Sequence, residues 1–357
     1  MKDELLLKTG GRMISGWQDI SVTRSIERLP SAFDISLMDR YPASQFMQWV
    51  NPGDPCEVWL GDDRVITGYV DQWCPSVSPS RHAIRATGRG KCEDLVDCSA
   101  WWEGNVISQA NALQIAQRLA APYGITVTSD VDDLVTVPQF VLNWGESSQE
   151  VIDRIARFSA LLYYDLPDGG LFMTRTGTRR AASGIAMGVN VQRADYKSSR
   201  DERFSDYTGI SMSVTPLNET GGGGYDPVTL STARDPEADS MRYRNHVTLL
   251  ESTMWSPEMA KQCIDWEMNR RYGRSRVVHA TVDSWRDSAG ALWEPNTLAP
   301  VSLQAFGIKD EEWLISEVTF RRSQAGTTAE LTLMPPEAFV VQPYAFYQQI
   351  GELTNHA

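Results

Sequence analysis

Histidine is scarce, with only His82, His246, His279 and His356 in 357 residues. None has a second His or Cys at metal-ligand spacing, so no zinc-type site is expected. Cysteine is almost as scarce: Cys56, Cys74, Cys92, Cys98 and Cys263. Their number is odd and no Cys-x-x-Cys pair occurs. That disfavours a disulfide framework and suits thiols kept reduced in a cytosol. Positive charge is in deficit, with 33 Lys and Arg against 46 Asp and Glu and a net charge of −13. Proteins that grip nucleic acid neutralise phosphates with basic side chains, so that class is disfavoured. The same balance suits solubility, or a wall past which DNA slides without sticking. No stretch approaches about 18 apolar residues, so no membrane insertion is expected. MKDELLLKTGGR has no apolar core or small-residue cleavage site, so no secretory signal is expected. GxSxG, P-loop and dinucleotide fingerprints are missing. Gly221–Gly224 lies inside a polar stretch, not between a strand and a helix, and reads as a linker.

What is present suits a globular chain of two or three domains. Hydrophobic content is 42% and twelve residues are Trp, a side chain suited equally to cores and interfaces. Residues 1–98 read as mainly β. LLLKTGGRMISGWQDISVTRSI alternates, turns at Gly10-Gly11 and alternates again. FDISLMD, CEVWL, VITGYVD and HAIRATGR follow, with a short helix at 42–50 stopped by Asn51-Pro52-Gly53. Residues 99–180 change period. SQANALQIAQRLAAPYG has helical spacing, and Ser147 with Glu150 offers a capping box to a second helix. LPDGG closes a hairpin. Residues 181–340 return to strands around a flexible loop at 216–240 and a helix at 257–272, capped by Ser256 and stopped by Gly273. Residues 341–357 form an irregular tail. The expected fold class is α+β, mainly β: two similar small β-barrel domains with an intervening α/β domain.

The two β regions repeat each other. Asn51–Leu60 and Glu294–Leu303 each carry Pro followed by Gly or Asn, then Val-x-Leu four residues on. Each runs into an acidic turn, Asp62-Asp63 in one and Asp310-Glu311-Glu312 in the other. The next strands pair Val65–Val70 with Trp313–Val318. Ser25-x-Glu27-x-x-x-Ser31-x-Phe33 is echoed at identical spacing by Ser199-x-Asp201-x-x-x-Ser205-x-Tyr207. Two similar domains per chain let a trimer mimic a six-fold ring, which suits a joint between parts of different symmetry.

Candidate chemistry is thin. Glu93-Asp94 and Asp132-Asp133 are acid pairs that could meet across a cleft, but chance pairs are expected among so many acids. Cys92 and Cys98 read as structural thiols. Arg270, Arg271, Arg274 and Arg276 end the long helix, where they either complement its dipole or pair across a subunit interface. Arg175, Arg179 and Arg180 carry the same two readings. No catalytic, cofactor-binding or metal-binding residues are expected, and no enzyme activity.

Several segments resemble the hub proteins of contractile phage tails of the Mu type. GGRMISGWQDISVTRSIERLPSAFDISL, VITGYVD, ATGRGKCEDLVDCSA, IAQRLAAPYGITV, RDERFSDYTG, DSWRDSAGALWEPN and LAPVSL carry the resemblance. It runs in order from about residue 5 to about 340. It implies a homotrimer whose two barrels per subunit build a pseudo-six-fold ring. Its partners would be the tail tube protein, the tail spike protein and other baseplate proteins, with DNA passing through without sequence-specific binding. It implies a virion location after assembly in the bacterial host cytoplasm, and no cofactor. The glycine-rich loop and the C-terminus depart most from the family. A carboxylate-dependent cell-wall hydrolase of the tail and a type VI secretion spike component remain the alternatives.

Overall fold

The computed structural model describes residues 4–38, 50–78, 81–134, 136–159, 161–214, 225–249, 257–324 and 326–339. The expected helix at 42–50 (all but Val50), the Ser256 cap, Gly221–Gly224 and the tail from 341 lie outside them.

The first seven strands are β1 (Leu5–Thr9), β2 (Arg12–Ile14), β3 (Asp19–Ser25), β4 (Ala32–Met38), β5 (Pro55–Leu60), β6 (Asp63–Ser78) and β7 (Arg81–Gly90). Strand β13 (Ile185–Ala186), β14 (Val191–Ser198), β18 (Arg276–Val282), β19 (Thr297–Leu303), β20 (Ile308–Ser323) and β21 (Gly326–Met334) belong to the later region. The neighbour order is β3-β4-β7-β6-β5 in the first copy and β14-β18-β21-β20-β19 in the second. The repeat read from turn chemistry is thus a repeat of strand pairing. The turns agree in detail. Gly53 and Asn296 both take positive φ, and their N–H groups donate to Val70 O and Ile315 O. The Ser25 and Ser199 hydroxyls each accept from the backbone N–H two residues on, at 3.1 Å.

The matching of the long strands needs a shift of three residues. Ser78 faces Arg81 and Ser323 faces Gly326 across the two hairpins, and the bulges fall at Asp71 and Ser316. Val70 therefore corresponds to Ile315, not to Val318. The cause is the second acidic segment. A single helical turn at Gln304–Phe306 reverses the chain, so Asp310-Glu311-Glu312 lies within β20 rather than in a turn.

The mainly β class is as expected, but neither copy closes into a barrel among the described residues. β6 and β20 run past their partners β5 and β19. The overhang of β20 accepts β3 of the other copy, which joins both into one sheet that branches at β20. One apolar core follows it through both copies, from Leu5, Val22 and Ile35 to Trp285, Trp313 and Leu331.

The intervening unit has its own core. It contains α1 (Glu93–Asp97), β8 (Val106–Asn111), α2 (Ala112–Ala120), β9 (Val127–Ser129), β10 (Thr136–Val141), α3 (Ser148–Phe158), β11 (Leu162–Asp165) and β12 (Leu171–Thr174). The Ser147–Glu150 capping box forms, with Ser147 N–H donating to Glu150 at 2.7 Å and Glu150 N–H to the Ser147 hydroxyl at 3.2 Å.

Two expectations for 181–340 are corrected. Strands β15 (Asp206–Val214), β16 (Tyr225–Arg234) and β17 (Asn245–Leu249) form a separate three-stranded sheet. The expected loop at 216–240 therefore contains a ten-residue strand. Its Val228, Thr229 and Thr232 have the β-forming character that its Gly and Pro neighbours hid. Helix α4 (Pro257–Arg274) packs on this sheet through Ala260, Cys263 and Leu230. Gly273 does not stop that helix. A Cβ there would lie 2.3 Å from Ala338 N, so the glycine serves a close backbone approach.

Candidate assembly site

The joint between the two copies is built by simple alternation. Ile20, Val22 and Arg24 of β3 face inward, as do Val318 and Phe320 of β20. The strands run antiparallel from Ser25–Glu317 to Ile20–Arg322. Val22, Val318 and Phe320 are fully buried, and Phe320 packs edge-on to Trp285 with centroids 6.3 Å apart. On the other face the Thr23 and Thr319 hydroxyls meet at 2.9 Å. Ile26 N–H donates to Ser316 O at 3.0 Å. Along an antiparallel ladder this makes Val22–Phe320 a hydrogen-bonded pair and Thr23–Thr319 a non-bonded pair with close side chains. Arg28 adds an ion pair to Glu317 at the rim.

Other cross-links tie the units together. The Asp165 carboxylate accepts from the Ser31 N–H and hydroxyl, both at 2.9 Å. Burial pushes its pKa up, and these hydrogen bonds oppose the shift. Arg286 of the second copy holds the first acidic turn, 2.7 Å from Asp63 and 3.1 Å from Leu60 O. In the second copy Glu311 pairs with Arg276 and Glu312 with Arg180.

The other sequence candidates have intrachain roles. Arg271 pairs with Glu267, and Arg274 pairs with Glu27 and donates to Ala338 O. Arg175 pairs with Asp133 and Arg179 with Glu294. Arg270 lies over the Trp266 ring. His246 stacks on Phe204 at 4.7 Å, and burial with Arg271 nearby lowers its pKa. His279 meets the Thr332 hydroxyl at 3.2 Å. His356 lies outside the described residues. Cys56 and Cys92 are buried, and burial raises the Cys56 thiol to about 12, far from a reactive thiolate. Among the described residues no cluster of three His, Cys, Asp or Glu could hold a metal ion.

In the second acid pair, the Arg175 hydrogen bond holds Asp133 below its ordinary value, whereas in the first Glu93 is shifted upward. Burial and the neighbouring Asp71 raise it to about 7. Arg89 sits 2.7 Å from Asp71, 3.3 Å from Glu93 and 2.8 Å from Asp97. One guanidinium thus bridges three carboxylates where β7 enters α1. That geometry clamps the first copy to the intervening unit. Sequence reasoning missed this cluster, the Asp165–Ser31 clamp and the Thr23–Thr319 contact. Only the apolar alternation in ISVTR and EVTF hinted at the last.

Three family models match in chain order. Residues 4–90 match the N-terminal domain of Mu phage baseplate assembly protein GpP-like, 92–175 the second domain of baseplate hub protein gp44-like, and 256–342 the fourth domain of Mu phage baseplate assembly protein GpP. The 43 kDa tail protein of prophage MuSo2 from Shewanella oneidensis is 31% identical, with a TM-score of 0.83 over 95% of this chain and 99% of that one. The chain belongs to the Mu-type baseplate hub family. The baseplate hub protein gp44 of Escherichia phage Mu is 29% identical over 347 residues, 96% of this chain and 90% of that protein. A type VI secretion component from E. coli, c3393, has a TM-score of 0.60 at 10% identity over 95% and 79% of the two chains, and shares the fold alone. A structural role in a phage tail baseplate comes with the family, and with it a place in the virion tail. No helix among the described residues is long and apolar enough to cross a membrane.

Proposed function

We propose that the protein is the trimeric central hub of a contractile phage tail baseplate. Each chain contributes two copies of one five-strand unit, so three chains present six. One face meets the hexameric tail tube and the other the trimeric spike, and DNA crosses the ring on infection. The action is geometric rather than catalytic. The duplicated strand order supports this reading most directly, because it gives one chain two equivalent positions around an axis. A net charge of −13 suits a channel that does not retain DNA. The hub would assemble in the host cytoplasm, a compartment that keeps thiols reduced.

Light scattering on the purified protein tests the oligomer. A mass of three 39.9 kDa chains is expected. A monomer at every concentration and salt would sink the trimer.

A further inference from the structure

The two copies are alike in pairing order but not in what covers them. In the second copy the β20 overhang is roofed by β3. In the first copy the matching overhang, Trp73–Val77 of β6, pairs only with β7 among the described residues. In the first copy β3 has neighbours on both sides. Its counterpart in the second copy, Arg193–Ser198 of β14, pairs only with β18 among the described residues. Among the described residues, one internal joint therefore leaves one complementary pair of open edges on the same chain.

Both open edges have one inward and one outward face. On β6, Trp73, Pro75 and Val77 share one face, while Cys74 and Ser76 share the other. On β14, Ala194 and Tyr196 share one face, while Arg193, Asp195 and Lys197 share the other. Val77 is 64% exposed, and no residue of β14 is buried. Trp73, Ala194 and Tyr196 already pack against the main core, which fixes the inward face of each strand, and a ladder between the two must keep those faces on one side. The two patterns are also in phase.

We infer that β6 of one copy pairs antiparallel with β14 of the next, in the register of the internal β3–β20 joint. The inference deepens the trimeric reading and rests on it. The hairpins and bulges match Phe320 to Pro75, and the shared serine turns match Val22 to Tyr196. The internal register then sets Trp73 opposite Ser198, Cys74 opposite Lys197, Pro75 opposite Tyr196, Ser76 opposite Asp195 and Val77 opposite Ala194. Trp73, Val77, Ala194 and Tyr196 fall on the core side together. Cys74–Lys197 takes the place of Thr23–Thr319, the non-bonded pair whose side chains touch. Internal and intersubunit joints then alternate around the ring.

Cys74 is exposed, which supplies half of a test. A Lys197→Cys variant, oxidised gently, should form a disulfide between Cys74 of one copy and position 197 of the next. On a non-reducing gel most of the monomer band should shift to linked dimer and trimer. Reductant, or Cys74→Ser in the same variant, should restore the monomer. Should Lys197→Cys fail to fold, Ser76→Cys with Asp195→Cys on a Cys74→Ser background tests the same register. A trimer by light scattering that does not cross-link overturns the edge pairing and leaves the trimer standing. A monomer that does not cross-link overturns both. Loss of both thiols at monomer mass overturns the pairing between copies, because the edges would then meet within one chain.

Discussion

The two copies of the five-strand unit differ at their edges and at their ends. In the second copy Val318, Thr319 and Phe320 are buried and paired with β3; in the first the corresponding Trp73, Cys74 and Pro75 pair only with β7 among the described residues. The ends of the hairpins differ in chemistry. Arg89, facing Tyr69, closes the first copy with a cluster of carboxylates. Met334, facing Leu314 at the matching place, closes the second with Ala338, Phe339 and Ile26. One strand order has thus been finished in two ways. The second copy is complete within the chain. The first is anchored by charge and keeps its overhang open.

The largest expected effect tests whether the edges differ as described. Phe320→Ala removes a fully buried ring and should cost about 3–5 kcal/mol in urea unfolding. Val77→Ala, on the same face of the open overhang, should stay within about 0.5 kcal/mol in the dilute monomer. Equal losses would mean that the two overhangs are equally covered within one chain. The next effect separates the anchors. Ser31 and Ser205 hold matching places in the serine motif, although only Ser31 leads into a strand of the shared order; Ser31 is satisfied by Asp165 from the intervening unit, whereas Ser205 bonds Arg244 and Asp206 nearby. Asp165→Ala strands a buried N–H and hydroxyl and should cost about 1–3 kcal/mol. Ser205→Ala should cost less, about 0.5–1.5 kcal/mol, since its partners are partly exposed. The reverse order would make the local turn, not the clamp, the stronger anchor.

The repeat was legible in sequence because it rests on local chemistry. Pro followed by a residue tolerant of positive φ, and serines that accept from the backbone two residues on, leave marks at fixed spacing. Strand partnership leaves fewer. Nothing in ISVTR says that its edge meets EVTFRR some 300 residues away rather than closing its own barrel, so one continuous sheet was not foreseeable. The three-residue shift has a similar origin. Asp310-Glu311-Glu312 has the composition of a turn, and only the reversal at Gln304–Phe306 places it in a strand. Strand β16 was masked by Gly and Pro at its start. The Arg89 cluster joins residues 71, 89, 93 and 97; Glu93 stood out only as one of two acid pairs, and nothing in the spacing ties it to Asp71.

That cluster should make the first copy the more pH-sensitive of the two. Glu93 ionises at about 7 in the fold, against 4.5 unperturbed. Between those values the folded state holds a proton that the unfolded chain has lost. The stabilisation is full below about 4.5 and is lost as pH rises through about 7. Glu93→Gln stays neutral and escapes that loss. Its stability relative to the parent should therefore rise between pH 4.5 and pH 7 and then level off. About 1 kcal/mol is reasonable once Arg89 and solvent screening are allowed for. Urea midpoints at pH 5 and pH 8 would check this. A constant difference between the two proteins would mean that Glu93 ionises normally and that the two ends do not differ in this respect.

The smallest effect sharpens the comparison most, because it concerns one backbone hydrogen. The bond from Ile26 to Ser316 O fixes the alternation in the internal ladder, and Phe320 there directs its N–H toward β3. Pro75 stands in its place on the open edge and has no N–H to give. A proline on an exposed edge discourages indiscriminate strand pairing. It also leaves the intersubunit ladder one donor short of the internal one. Pro75→Thr restores the donor on a residue that favours strands. Each joint should gain about 0.5–1.5 kcal/mol, which lowers the concentration at which the ring falls apart by severalfold. Dilution followed by mass photometry would measure it. An unchanged dissociation point in an intact ring would mean that position 75 turns its backbone away from the neighbour, one residue out of the proposed register. Tighter rings would show that the open edge of the first copy is the covered edge of the second with a single bond withheld.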